Sequence, residues 1–275
     1  MRRQRGTLAS DLFATVRRFL SIRGECPMCS IPTICLLLAV PTHQAPALQP
    51  IPQQPVIYEW GGADDPIVSR WADDIARLEA LDDRPKGAVL FLGSSSIRRW
   101  EDIAEDMAPY PVVRRGYGGA SYLDLDHYAK RLLAGQQPAA VVLFCGNDIK
   151  GDKRDRTADE VAALVESIAK TIRREHPKVP IVVIGVTPTP QRFHLWPLTK
   201  AANREVEKAC GADPQLHFIN TEAIFLESGE RGPRPKADLF GPDDLHLNED
   251  GYAAWSDRIK QELAQVLGEQ PVGSD

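Results

Sequence analysis

The chain has 275 residues, 43% of them hydrophobic and 26% charged, with a formal net charge of −5. That is enough apolar material for one full core, and the acidic balance without any basic aromatic stripe excludes a nucleic-acid binder. The charge reads as a solvated acidic surface.

The first fifty residues differ from the rest. Arg2, Arg3, Arg5, Arg17, Arg18 and Arg23 precede an apolar run from Ile31 to Val40, and Ala45, Pro46 and Ala47 follow. A basic flank, a short apolar segment and an Ala-x-Ala ending describe an export signal over 1–47, cut after Ala47. A start at Met28 would remove the basic flank. The run is too short to cross a bilayer, so the expectation is an exported protein, periplasmic or extracellular, with no stable membrane span. Cys26 and Cys29 have metal or redox spacing but lack a second pair or a histidine partner. Cys145 and Cys210 remain after processing, Cys145 as a small buried residue at a strand end. Residues 48–64, rich in Pro and Gln, read as a linker, and 65–275 as a single domain.

Within that domain, Val68, Trp71, Ile75 and Leu78 have helical spacing over 66–81, with Asp65 as cap and Pro66 at the first helical position. The apolar run Ala88 to Leu92 reads as a buried strand stopped by Gly93. Ser94, Ser95 and Ser96 follow, and a helical segment begins at Ile97. A second strand covers Val112 to Arg115 and leads into Gly116, Gly118 and Gly119; a helix covers Tyr122 to Leu133. The third strand, Ala139 to Phe144, is apolar throughout and so is covered on both faces. Thr157 and Glu160 form a capping box before a helix with Val161, Leu164, Val165, Ile168 and Ile172 on one stripe. Strand four runs from Ile181 to Val186, into a turn containing Thr187, Pro188 and Pro190. A helix over 197–210, a short strand over 217–220 and a last helix from about Asn248, burying Tyr252, Trp255, Ile259 and Leu263, complete the chain.

Five alternations of strand and helix, with no internal repeat, predict an α/β fold: a three-layer α/β/α sandwich around a five-stranded parallel sheet. A flavodoxin-like strand order of 2-1-3-4-5 puts strands two and three on either side of strand one. Ser95, Gly119 and Asn147, each in the turn after one of these strands, then converge on one sheet edge.

The stretch from Gly241 to Tyr252 supplies a histidine in a loop. His246, three residues after Asp243, can be oriented by that carboxylate while it faces a serine, as a nucleophile and its base require. Asp244 is the rival carboxylate. Each residue taken alone has a plain structural alternative. The serines could cap a helix, Gly119 permit a turn, Asn147 and Asp148 cap the next helix, and His246 cap an element end. Other chemistries fit less well. The Gly116-x-Gly118 pattern lacks the third glycine and acidic partner of a dinucleotide loop, no Gly-x-Ser-x-Gly elbow is present, and the six histidines are too scattered for a metal site. No cofactor is expected.

Four blocks in order resemble the SGNH hydrolases, the superfamily of the GDSL-type esterases and lipases, over roughly 88–267. These are Gly93-Ser94-Ser95, Gly116 to Gly119, Cys145-Gly146-Asn147-Asp148, and Asp243 with His246. Ser94 stands where the family has aspartate, and Cys145 where the third block begins with glycine. The resemblance implies an ester hydrolase working through an acyl-enzyme. Ser95 would be the nucleophile, His246 the base and Asp243 its partner, with Ser95, Gly119 and Asn147 as the oxyanion hole. The loop 187–196 and the stretch 223–242 are expected to border the site, with Arg192 and Trp196 contacting a small-molecule or carbohydrate acyl ester. With no long apolar lid in the sequence, short acyl (acetyl) esters are the expected substrates. The alternatives are a lysophospholipase or lipase-like acylhydrolase, an O-acyltransferase, and a non-catalytic binding module for acylated polymers.

Overall fold

The computed structural model describes residues 69–268. The expected export segment and linker, Cys26, Cys29, Cys35, and Asp65, Pro66 and Val68 of the first expected helix lie outside the described residues. The elements, in order, are α1 (Ala72–Glu79), β1 (Val89–Gly93), α2 (Ser95–Arg98), α3 (Ile103–Asp106), β2 (Val112–Gly116), α4 (Tyr122–Leu133) and β3 (Ala140–Phe144). There follow α5 (Ala158–Glu175), β4 (Ile181–Ile184), a 3₁₀ turn (Phe193–Leu195), α6 (Trp196–Gly211), β5 (Leu216–Ile219) and α7 (Glu222–Phe225). A hairpin of β6 (Leu226–Gly229) and β7 (Gly232–Pro235), a second 3₁₀ turn (Ala237–Leu239) and α8 (Glu249–Val266) complete it.

The five main strands form one parallel sheet in the order β2-β1-β3-β4-β5. Side chains alternate across a strand, and this splits the apolar residues into two cores. Leu90, Leu92, Val141, Leu143, Ile181 and Val183 point to one face, where α1, α4, α5 and α6 cover them with Ile75, Leu125, Val165 and Val206. Val89, Phe91, Val142, Phe144, Val182 and Ile184 point to the other, beneath Ile97 of α2, Ile103 of α3, and Trp255, Ile259 and Leu263 of α8. Apolar runs without alternation are the signature of strands buried on both faces, and each such Leu, Val or Phe contributes about 1.5–3 kcal/mol by leaving water.

Register fixes where the site can form. Gly93 ends β1 opposite Gly116 of β2 and Phe144 of β3, so the chain leaves all three strands at one level. The crossing there is tight: a Cβ on Gly93 would stand 2.0 Å from the Phe144 carbonyl oxygen. The Ser94 N–H donates to that same oxygen at 3.0 Å.

Two segments depart from the sequence expectation. The helix after the serines starts at Ser95, not Ile97, and Ser94 at its N-cap makes no side-chain capping bond. The stretch 223–242 folds as α7, the β6–β7 hairpin and a 3₁₀ turn; it is charged and exposed along most of the hairpin, so no apolar pattern marks it. Among the described residues no helix is long and apolar enough to cross a membrane.

Candidate active site

Ser95 is the first residue of α2, so its N–H has no acceptor within the helix. Of the three consecutive serines, it alone bonds the histidine: Ser95 Oγ lies 2.8 Å from His246 Nε2. Ser94 is buried, with its N–H on the Phe144 carbonyl, and the Ser96 carbonyl accepts from Tyr252 Oη at 2.8 Å. Tyr252 belongs to α8 and stacks on Trp100, with ring centroids 5.1 Å apart. An aromatic layer thus holds the short helix that carries Ser95.

His246 sits in a loop pinned at both ends. The Gly241 N–H donates to the His246 carbonyl at 2.8 Å, and Asn248 caps α8 by accepting from the Gly251 N–H at 3.0 Å. Between them Asp243 makes an Asx-type turn, Oδ1 accepting from the N–H groups of Leu245 at 3.1 Å and His246 at 2.9 Å. Its Oδ2 lies 2.6 Å from His246 Nδ1. A carboxylate only accepts, so Nδ1 carries the proton and Nε2 is left to accept from Ser95. Burial works against the charge on Asp243, but the His246 and Leu245 N–H groups and the imidazole outweigh it and bring the carboxyl down to about 2. Asp244 makes no contact with the imidazole of the kind Asp243 makes. It adopts φ 54°, and its carbonyl accepts from the Gln191 N–H at 2.9 Å.

Asn147 follows β3, and its amide is held at both ends. Nδ2 donates to the Ala120 carbonyl at 2.9 Å, while Oδ1 accepts from Arg192 Nη1 and Nη2 at 3.2 and 3.3 Å. Arg192 Nη1 also donates to the Gly146 carbonyl at 2.8 Å. Gly119 occupies the β2–α4 turn at φ 77°, a conformation that excludes most side chains. Trp71 packs 3.3 Å from where its Cβ would stand. Asp148 does not cap the helix after β3. Both of its oxygens accept from the N–H of Tyr122, at 3.1 and 3.0 Å, and so cap α4 across 26 residues of sequence.

Ser95, Asn147 and His246 line one cavity of about 50 Å³, together with Phe144, Ile149, Val186, Trp196, Leu245 and Leu247. The loop 187–196 borders it through Thr187, Pro188, Thr189, Arg192 and Trp196, as its sequence position implied. The stretch 223–240 does not; Gly241 and Pro242 instead line an open groove on the far side of His246, with Arg99, Glu101, Glu249 and Asp250. Arg99 Nη1 stands 3.4 Å from Asp243 Oδ2. Its place in that groove has no sequence signal, since 144 residues separate the pair. No group of three His, Cys, Asp or Glu among the described residues is placed to hold a metal ion.

Comparison with known proteins agrees with this architecture. The model of the GDSL-like lipase/acylhydrolase family matches residues 90–254. The chain is 26% identical over 212 residues to the human platelet-activating factor acetylhydrolase IB subunit alpha2, covering 74% of this chain and 87% of that protein. It is 26% identical over 234 residues to the mouse alpha1 subunit, with coverage of 82% and 91%. Among solved structures, a GDSL-like lipase from Bacteroides thetaiotaomicron superposes with a TM-score of 0.54 at 19% identity, over 72% of this chain and 97% of that one; it shares the fold. With the family model matched over more than half of its length, the chain belongs to the GDSL-like lipase/acylhydrolase family and is a carboxylic ester hydrolase.

Proposed function

We propose that the protein is a serine esterase that works through an acyl-enzyme on short acyl esters, acetyl esters first among them. The observation that carries this reading is the hydrogen-bonded chain from Asp243 through His246 to Ser95, with spacings of 2.6 and 2.8 Å, opening on a small cavity. Ser95 Oγ attacks the acyl carbonyl while His246 Nε2 takes its proton. The negative charge that develops on the carbonyl oxygen is received by the N–H groups of Ser95 and Gly119 and by the Asn147 amide. His246 returns the proton to the departing alcohol. Water, deprotonated by the same nitrogen, then releases the acid.

Chain length follows from space. The cavity beside Ser95 is small, about 50 Å³, and is walled by Phe144, Ile149, Val186 and Trp196. Its size favours an acetyl or propionyl group over a long alkyl chain. The names of the two mammalian relatives, both acetylhydrolases, support the same acyl group. The groove beyond His246, lined by charged side chains, suits a hydroxyl-rich alcohol such as a carbohydrate.

The test is steady-state hydrolysis of p-nitrophenyl acetate, butyrate and octanoate by the wild type, Ser95→Ala and His246→Ala. Acetate is expected to be the fastest of the three, and both variants to lose activity by at least about 10³-fold with unchanged circular dichroism. Rates that climb steadily with chain length would overturn the acetyl assignment. Activity surviving in Ser95→Ala would remove the proposed nucleophile.

A further inference from the structure

We propose that Arg192 is a positioning residue: it holds and polarises the Asn147 amide and does not act on the substrate. The proposal rests on the donor role given to Asn147 above.

The contacts determine which way the amide faces. Guanidinium offers only donors, and a backbone carbonyl only accepts. With Arg192 at Oδ1 and the Ala120 carbonyl at Nδ2, a flipped amide would set donor against donor at one end and acceptor against acceptor at the other. One of the two Nδ2 hydrogens is spent on Ala120, and the second is left for the cavity that Asn147 lines with Ser95 and His246. Without Arg192, the Ala120 bond alone would leave the amide free to swing about that contact.

Arg192 also brings charge to this point. Among the described residues it has no carboxylate at ion-pair distance, and only the more distant field of Asp155 supports it. Partial burial draws its pKa down, but a guanidinium stays charged in any protein setting. Its Nη hydrogens are aimed at two oxygens, Asn147 Oδ1 and the Gly146 carbonyl. A charged donor on an amide oxygen pulls electron density from nitrogen, so the remaining N–H becomes a stronger donor. That gain counts most in the transition state, where the carbonyl oxygen of the ester becomes anionic. An arginine that gripped the substrate would instead contribute to binding before the chemistry.

The turn that carries Arg192 is itself anchored. The Arg192 N–H donates to Thr189 Oγ1 at 3.3 Å, and the adjacent Gln191 N–H donates to the Asp244 carbonyl at 2.9 Å. One turn therefore ties the loop of Asp243 and His246 to Asn147 in the turn after β3, across 45 positions of sequence between Arg192 and Asn147.

The experiment is a double-mutant cycle on p-nitrophenyl acetate, with Arg192→Gln, Asn147→Ala, the double variant, and Arg192→Lys as the conservative control. Arg192→Gln is expected to lower kcat by about 10–100-fold, with KM within about threefold, since removing a whole oxyanion donor costs about 10²–10³. In the Asn147→Ala background the same substitution is expected to cost less than about threefold. Arg192→Lys, a point charge without the fork, is expected to recover part of the loss. Multiplying effects in the double variant, a change confined to KM, or an undiminished kcat in Arg192→Gln would each overturn the proposal. If Arg192→Gln does not fold, the cycle is closed with Arg192→Lys on the same criteria. Wild-type kcat in Asn147→Ala would overturn the donor role itself, a failure distinct from that of Arg192.

Discussion

Asp243 holds His246 by both its backbone and its ring, Oδ1 accepting from the His246 N–H at 2.9 Å and Oδ2 meeting Nδ1 at 2.6 Å. The first contact sets where the loop places the histidine. The second sets which nitrogen bears the proton. Asp243→Asn separates the two, because an amide oxygen still accepts from the backbone while the amide nitrogen donates to Nδ1. The ring then carries its proton on Nε2 and can no longer accept from Ser95. The expected outcome is a loss of about 10³–10⁴-fold in kcat with KM and thermal stability nearly unchanged, read from steady-state kinetics and a melting curve. A loss below tenfold would mean that the exposed Asp243–Arg99 side of the site tolerates either tautomer.

The nucleophile's helix is too short to hold itself in place, and Tyr252 supplies part of the support through its bond to the Ser96 carbonyl. Tyr252→Phe keeps the stack on Trp100 and removes only that bond. Net hydrogen bonds contribute about 0.5–1.5 kcal/mol, so urea unfolding is expected to show a loss of about 1 kcal/mol. A fall of a few-fold in kcat should accompany it, because the α2 N-terminus that carries Ser95 loses a tether. Loss of stability with no change in kcat would mean that packing alone positions Ser95.

Most of this fold is legible in the sequence because its central strands β1, β3 and β4 are buried on both faces and read as unbroken apolar runs, as Val89 to Leu92 and Ala140 to Phe144 do. The turns after β1, β2 and β3 then follow from topology. What the sequence hides is whatever depends on contacts between distant segments. Asp148 follows Asn147 and resembles a local cap, yet its carboxylate serves α4. Arg192 reads from the sequence as a substrate contact, yet its guanidinium donates to Asn147 Oδ1 and the Gly146 carbonyl. The β6–β7 hairpin has neither apolar alternation nor a buried face, so Leu226 to Pro235 resembles a loop until the pairing of Glu227 with Arg234 is seen.

Asp148 also makes stability depend on pH. Burial pushes its carboxyl up to about 7, against the Tyr122 N–H and Arg156, which favour the charged form. In the unfolded chain an aspartate titrates near 3.9. Between about pH 4 and 7 the folded state thus keeps a proton that the unfolded state has released. Stability from this group therefore falls as pH rises through that window and levels off above it. Asp148→Asn cannot titrate and lacks this slope. The stability of Asp148→Asn minus that of the wild type is expected to grow by up to about 1.4 kcal/mol per pH unit across the window. Urea midpoints at pH 4.5, 6 and 8 would check it. A constant difference would show that the α4 cap keeps Asp148 ionised throughout.

Trp196 is the largest side chain of the loop 187–196 to line the acyl cavity. It is the first residue of α6, 8% exposed, and borders the cavity with Phe144 and Val186. Trp196→Leu removes one ring system from the wall and keeps an apolar lining, so the added space stays suited to hydrocarbon. Preference is expected to move toward longer esters. The ratio of kcat/KM for p-nitrophenyl hexanoate over acetate should rise by about tenfold, since each methylene that gains burial contributes about 0.8 kcal/mol and two or so extra groups can enter. Acetate itself should be hydrolysed with a higher KM and a kcat within a few-fold of wild type, because the hydrogen bonds that join Asp243, His246 and Ser95 and that hold Asn147 to Ala120 do not involve Trp196. If the ratio stays fixed while both rates fall together, Trp196 supports the loop 187–196 and Arg192 within it, and the limit on chain length lies with other lining residues such as Phe144 and Ile149.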